Sequence, residues 1–175
     1  MSIFGVATRN WSSGQARLAP TRRPWFPAIA VSLAVVATLC GCAGAPKPAQ
    51  IDATIQASAG VNPSPSKRPS PLLVRIYELK SAAAFNASDF VSLYQRDQAE
   101  LAGDLVGRDE FMLAPGESRS FAKTLGLETR YIGVIAAYRD LERSQWRSVV
   151  TIEPGKKQQL LIRADALAIS ATVQK

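Results

Sequence analysis

Apolar and polar residues alternate with a period of two over Ile51-Asp52-Ala53-Thr54-Ile55-Gln56-Ala57-Ser58, which predicts a strand with one buried face. Leu72-Leu73-Val74-Arg75-Ile76-Tyr77-Glu78-Leu79 predicts a second strand, rich in β-forming residues. The pattern then changes. Ser81-Ala82-Ala83-Ala84-Phe85 predicts a helical turn, and Ser88 can cap a helix over 89–94 with Phe90, Leu93 and Tyr94 on one face. A further short helix over 97–102 is expected to stop at Gly103. Strand-like segments resume at 110–113, 118–123, 129–138, 146–152, 158–163 and 166–172. Ala114-Pro115-Gly116 and Glu153-Pro154-Gly155-Lys156 separate them with Pro and Gly where a type II turn requires them.

The stretch Thr129–Tyr138 is apolar on both faces, so it reads as the central strand. Ile135 within it is a core position, and Ile135→Asp is expected to unfold the domain, since a buried charge finds no partner there. Eight short strands with regular turn signals predict an all-β sandwich of two sheets. One small helical insertion lies between strands two and three.

Between the first two strands, residues 59–71 carry Pro63, Pro65, Pro69 and Pro71. Proline at that density excludes helix and central strand, and predicts an exposed loop with polyproline-like stretches. A loop of this length in a compact domain is either functional or disordered. Pre-set proline φ angles lower the entropy lost on binding, which suits a recognition element.

Ahead of the domain the pattern is different. Arg22-Arg23-Pro24 precedes an apolar run from Trp25 to Leu39, a positive n-region and h-region of signal-peptide type. The run is short for a spanning helix, which needs about 20 apolar residues. It ends in Leu39-Cys40-Gly41-Cys42, which resembles the lipobox of bacterial lipoproteins, with Cys at the second position where Ala or Ser is usual. That resemblance implies a diacylglyceryl group on Cys42 and cleavage after Gly41. It also implies acylation of the new amino terminus and, since Ala43 and not Asp follows, transfer to the outer membrane. Residues 1–41 are then the leader, 42–50 the lipidated N-terminus and tether, and 51–175 the periplasmic domain.

The charge changes meaning in this light. The full chain carries +7, but residues 1–41 hold Arg9, Arg17, Arg22 and Arg23 and no acidic residue, leaving +3 for the remainder. A modest excess of that kind gives no case for nucleic acid. The sequence contains no histidine and only two cysteines, Cys40 and Cys42. His-based acid–base or nucleophile chemistry is therefore excluded, a zinc site is not expected, and no cofactor beyond the covalent lipid is called for. Asp97, Glu100, Asp109 and Glu110 read as surface charge, and Arg139-Asp140-Leu141-Glu142-Arg143 as an exposed connection. Trp146 reads as core or edge packing. The chain is expected to bind, not to catalyse.

Several features in order give a family resemblance: Arg68-Pro69-Ser70-Pro71, then Leu73–Leu79, Phe85, Asp89-Phe90 and Leu93-Tyr94. They continue with Leu113-Ala114-Pro115-Gly116-Glu117, Tyr131-Ile132-Gly133-Val134, Tyr138-Arg139-Asp140, Trp146 and the last Pro-Gly turn. Together, behind a lipobox, they resemble the TssJ family, outer-membrane lipoproteins of type VI secretion systems. The resemblance implies a transthyretin-like β-sandwich on the periplasmic face of the outer membrane. It implies binding to the periplasmic C-terminal region of TssM, an inner-membrane protein, and through it an indirect link to TssL. It places the contact in the loop between strands one and two, here Asn62, Pro63, Ser64, Pro65, Ser66, Lys67, Arg68, Pro69, Ser70 and Pro71. Within it Lys67 and Arg68 supply the positive charge, suited to an acidic patch on a partner. The alternative from another class is a periplasmic carrier or chaperone, holding a small apolar ligand or an unfolded client between its sheets.

Overall fold

Alternation along the chain resolves into two stacked sheets whose facing sides are apolar. The computed structural model describes residues 46–174; the leader, Cys42, the first residues of the tether and Lys175 lie outside the described residues. Eight strands form: β1 (Gln50–Ala57), β2 (Leu72–Leu79), β3 (Leu105–Leu113), β4 (Ser118–Thr124), β5 (Tyr131–Ala136), β6 (Arg147–Thr151), β7 (Lys157–Ala164) and β8 (Ile169–Gln174). Two helices, α1 (Ala83–Ala87) and α2 (Phe90–Leu101), follow β2, and a 3₁₀ turn at Ala102–Asp104 leads into β3. The sheets run β4-β1-β7-β8 and β3-β2-β5-β6, the β-sandwich with a helical insertion that the pattern predicts.

The main core lies between the sheets. Ile51, Ala53 and Ile55 of β1 meet Leu72, Val74 and Ile76 of β2, Ile132 and Val134 of β5, and Leu160 and Ile162 of β7. At the β3–β4 edge, Phe111 and Phe121 pack edge to face with centroids 5.2 Å apart. Beside them Lys123 points inward, its Nζ 2.6 Å from Glu78 and 2.7 Å from Asp109. An inward-pointing charge on an outer strand discourages edge-to-edge association.

A second cluster explains why 131–136 is apolar on both faces. Tyr77, Leu79 and Ile135 project from the outer side of their sheet and are covered by Phe85, Leu93 and Leu101 of the helical insertion. β2 and β5 are thus buried twice, once by the opposite sheet and once by the helices. Gly133 makes this possible: a Cβ there would lie 3.0 Å from the rings and methyls of Phe85 and Leu79. Trp146 is half-buried against both clusters and meets Phe90 edge to face at 5.4 Å.

Asp97, read as surface charge, is buried and paired with Arg75 and Arg108, and three local expectations need correction besides. The cap of α2 is Asp89, not Ser88: its Oδ1 accepts the Ser92 N–H at 3.0 Å. Ser88 instead ends α1 and donates its hydroxyl to the Ala84 carbonyl. The two expected helices over 89–94 and 97–102 are one helix bent at Arg96 (φ −136°), and it ends at Ala102 (φ +41°), before Gly103. Third, β3 starts at Leu105, since its early residues pair with β2 through a bulge beside Glu78 and carry no clean alternation.

The bend at Arg96 frees carbonyls that a straight helix would satisfy, and a buried cation takes them. Arg75 donates to the Tyr94 carbonyl at 2.9 Å and the Leu93 carbonyl at 3.4 Å, and pairs with Asp97 and Glu110. Arg108 reaches Asp97 at 2.6 Å, and the Tyr77 hydroxyl donates to the Leu93 carbonyl at 3.1 Å.

Burial pushes the Tyr77 phenol up from 10.0 to about 12. The folded state therefore holds this proton more tightly than the unfolded chain. The contribution is complete below pH 10 and is lost as pH rises through about 12. The loss is about 2–3 kcal/mol. Alkaline melting curves followed by tyrosinate absorbance should show this decline, and Tyr77→Phe should remove its share, leaving that of Tyr138, whose phenol burial also pushes up. An unaltered decline in the variant would assign it to other groups.

The topology gives the sandwich two poles. β1 pairs with β4 antiparallel and with β7 in parallel, so Gln50, Thr124 and Lys157 lie at one end. The other end gathers the β1–β2, β3–β4, β5–β6 and β7–β8 connections.

Candidate functional site

At this second pole the β1–β2 loop is not a free polyproline strand but a pinned structure. Val61 and Asn62 are buried, Pro63 and Ser64 half-buried, Pro65 to Pro69 exposed, Ser70 buried and Pro71 exposed. Its tip doubles back: Ser64 N–H donates to the Arg68 carbonyl and Lys67 N–H to the Ser64 carbonyl, both at 2.8 Å. The Ser64 hydroxyl also accepts the Arg68 N–H at 3.2 Å, and Lys67 adopts φ +61°.

Asn62 is the pin. It sits at φ +49°, a left-handed conformation that asparagine tolerates better than most residues. Its side-chain amide donates to the Pro71 carbonyl at 2.9 Å, closing the loop on itself. Its side-chain oxygen accepts the Arg139 N–H at 2.8 Å, bolting the loop to the β5–β6 connection. Ser70 N–H donates to the Val61 carbonyl, and Asn62 N–H to that of Ala166. Asn62 and Ser70 therefore hold the loop's shape, while Pro65, Ser66, Lys67, Arg68, Pro69 and Pro71 form its accessible surface.

The bolt creates a groove of about 760 Å³ between the two connections, walled by Pro63, Pro65, Lys67, Arg139, Leu141 and Leu167. Its electrostatics are uneven. Asp140 is tied to Arg143, its carboxylate accepting from Nε at 2.7 Å, which holds the carboxyl below its usual range. Lys67, Arg68 and Arg139 have no carboxylate within ion-pair distance among the described residues. Glu142 shares the rim. The site thus sets Lys67 and Arg139 into the groove lining, which also contains Asp140, Glu142 and Arg143, with Arg68 next to Lys67 at the loop tip.

Sequence reasoning found the loop but not its partner in the groove. Arg139–Arg143 read as a mixed-charge connection, and the Asn62–Arg139 bond, across 77 positions, ties it to the site. No pattern within either segment signals that bond. Among the described residues, no cluster of three or more His, Cys, Asp or Glu is arranged to hold a metal. No helix there is long and apolar enough to cross a membrane.

Comparison with known proteins agrees with the architecture. The family model of type VI secretion lipoproteins (VasD, EvfM, TssJ) matches residues 49–167. Among solved structures, the chain is similar to the T6SS lipoprotein TssJ1 from Pseudomonas aeruginosa. That match has 39% identity and TM-score 0.71, covering 73% of this chain and 98% of that one. It is similar to Serratia marcescens Lip, a membrane-bound component of the type VI secretion system, at 26% identity and TM-score 0.65, with 72% and 97% covered. It also matches a chain in a structure of the T6SS protein TssM C-terminal domain from EAEC, at 26% identity and TM-score 0.56, with 72% and 98% covered. No curated protein matches the sequence. A family match across most of the sandwich, with a relative 39% identical over nearly its whole length, assigns this chain to the type VI secretion lipoprotein family that includes TssJ.

Proposed function

We propose that the chain is an outer-membrane tether, acylated at Cys42 after removal of residues 1–41. In this reading residues 42–50 are the flexible lead and 51–175 the periplasmic domain. The domain binds the periplasmic C-terminal region of a TssM-type inner-membrane protein, and through it associates indirectly with TssL. The role is binding and structural. The observation that carries this reading is the pinned β1–β2 loop, held at Asn62 so that Lys67 and Arg68 face outward beside the groove. Pre-organisation of this kind lowers the ordering cost of docking. The likeness to a chain in the TssM C-terminal domain structure supports the choice of partner. The carrier reading gains no comparable observation, since side chains of both sheets fill the space between them.

The test is calorimetry of residues 43–175 against the periplasmic C-terminal domain of the TssM-type protein. Stoichiometric binding is expected. Combining Lys67→Glu with Arg68→Glu should weaken it at least about tenfold, or about 1.4 kcal/mol, and flatten its salt dependence while leaving the melting temperature unchanged. Unchanged affinity in that variant would remove the loop from the interface.

A further inference from the structure

The pole opposite the groove is where the chain enters the domain, and its surface is built differently. Ala49 is buried, and the backbone is fixed there: Leu125 N–H donates to the Ala49 carbonyl and Gln50 N–H to that of Lys156, both at 2.9 Å. Cys42 lies seven residues before Ala49. Whatever path those residues take, at about 3.4 Å each they reach no further than about 24 Å. An acylated Cys42 therefore keeps this pole close to the lipid.

Two features of the pole suit such a neighbour. The first is a depression of about 280 Å³ lined by Lys47, Pro48, Gln50, Gly155, Lys156 and Lys157. Three of its six lining residues are lysines and none is acidic. The left-handed Gly155 turn lies against Lys47, which brings the lysine on the entering chain beside the two on β7 and its turn. Lys156 pairs with Glu153 and Lys157 with Asp52, both exposed bridges of the weak kind that leave a lysine free to meet another anion.

The second feature is Leu127, 53% exposed at the tip of the β4–β5 connection. That connection is held firmly. The buried Glu78 carboxylate accepts the Gly126 N–H at 2.9 Å and the Thr129 hydroxyl at 3.1 Å, while Arg130 Nη1 donates to the Leu127 and Thr129 carbonyls. Lys80 and Glu128 pair beside it. A large apolar side chain kept outward on a rigid tip, on the same end as the lysine depression, fits a surface with a polar anionic layer over an apolar one.

We propose that this pole seats against the phospholipid surface of the anchoring membrane, with an anionic headgroup phosphate in the Lys47–Lys156–Lys157 depression and Leu127 at the acyl boundary. The proposal rests on lipidation at Cys42. It sets the orientation of the domain: the eight residues of β1, at about 3.3 Å each, put the Lys67–Arg68 tip roughly 26 Å further from the lipid. The groove then opens into the periplasmic space.

The test uses the full acylated chain reconstituted in vesicles, with one environment-sensitive dye on a cysteine replacing either Leu127 or Ser66. Quenching by lipids carrying a shallow spin label reports contact. In vesicles of phosphatidylethanolamine and phosphatidylglycerol, the dye at 127 should be quenched strongly and the dye at 66 hardly at all. Adding Lys156→Glu and Lys157→Glu should cut quenching at 127 by at least about threefold, as should replacing the lipid by phosphatidylcholine. Equal quenching at both positions with the protein vesicle-bound overturns the proposal and leaves the anchor standing. Loss of the phosphatidylglycerol effect in millimolar inorganic phosphate shows a soluble phosphate as the ligand and also overturns it. A chain that stays unbound to every vesicle removes the anchor itself and this proposal with it.

Discussion

Val134→Asp is expected to abolish cooperative folding, whereas Ile135→Asp, one residue along the same strand, is expected to leave a weakened but folded domain. Adjacent strand residues point to opposite faces. Val134 points into the main core opposite Ile76 and is fully buried. A carboxylate there loses the burial of the valine, about 1.5–3 kcal/mol, and is left ionised without a partner at several more. The whole domain is held by about 5–15 kcal/mol. Ile135 is equally buried but faces the helical insertion, and its cross-strand neighbour on β2 is Arg75. The expectation that Ile135→Asp unfolds the domain is revised on this register: the residue opposite on β2 is the cationic Arg75, which Asp97 and Glu110 already share. Loss of the isoleucine costs about 2–5 kcal/mol, part of it offset by the new ion pair. Urea unfolding followed by near-ultraviolet circular dichroism separates the two. A normal transition in Val134→Asp with none in Ile135→Asp would reverse the assignment of faces.

Removal of the Arg75 side chain has the next largest expected effect. Arg75→Ala leaves the Tyr94 carbonyl without its 2.9 Å donor and deprives buried Asp97 and half-exposed Glu110 of a cation. Breaking a buried pair from one side costs about 3–5 kcal/mol. Arg108 still reaches Asp97 at 2.6 Å, so the lower end, about 3 kcal/mol, is expected. That corresponds to a fall in melting temperature on the order of 10 °C. The damage should concentrate in α2, since Arg75 binds the carbonyls freed at the Arg96 bend. Hydrogen exchange should therefore rise across 90–101 more than across β1 and β7. A double-mutant cycle with Asp97→Ala should give a coupling of about 0.5–3 kcal/mol. Additivity within error would show the two residues to be energetically independent despite their proximity.

Much of this architecture was legible in the residue pattern for identifiable reasons. β1 and β7 each present one face to water, so alternation marks them. The turns at Pro115-Gly116 and Pro154-Gly155 are local devices, with Gly116 and Gly155 both at positive φ as expected. What the pattern misses is decided across long separations. Asp89 and Ser88 are both good caps, and the continuation of α1 to Ser88 selects between them. The burial of Arg75 depends on the bent helix laid over it, which no pattern within β2 signals. At the candidate site, proline content marks 62–71 as a loop, but the burial of Asn62 and Ser70 arises from bonds to Arg139, Ala166 and Val61. Composition carries no trace of those.

The parallel pairing of β1 with β7 has a consequence for the order of events in the cell. Ala53 is in register with Leu160, so the first strand of the domain has its central neighbour near the end of the chain. Its other neighbour, β4, comes no earlier than Ser118. Closing so large a loop before any reward from pairing makes folding slow. Under the export proposed above, with the chain passing unfolded and N-terminus first, this delay is useful. The leading half cannot complete its sheet while the trailing half is still behind, so it stays threadable until almost all of it has crossed. The last strands to emerge then complete the sheet that fixes β1, and with it the point where the tether joins the domain.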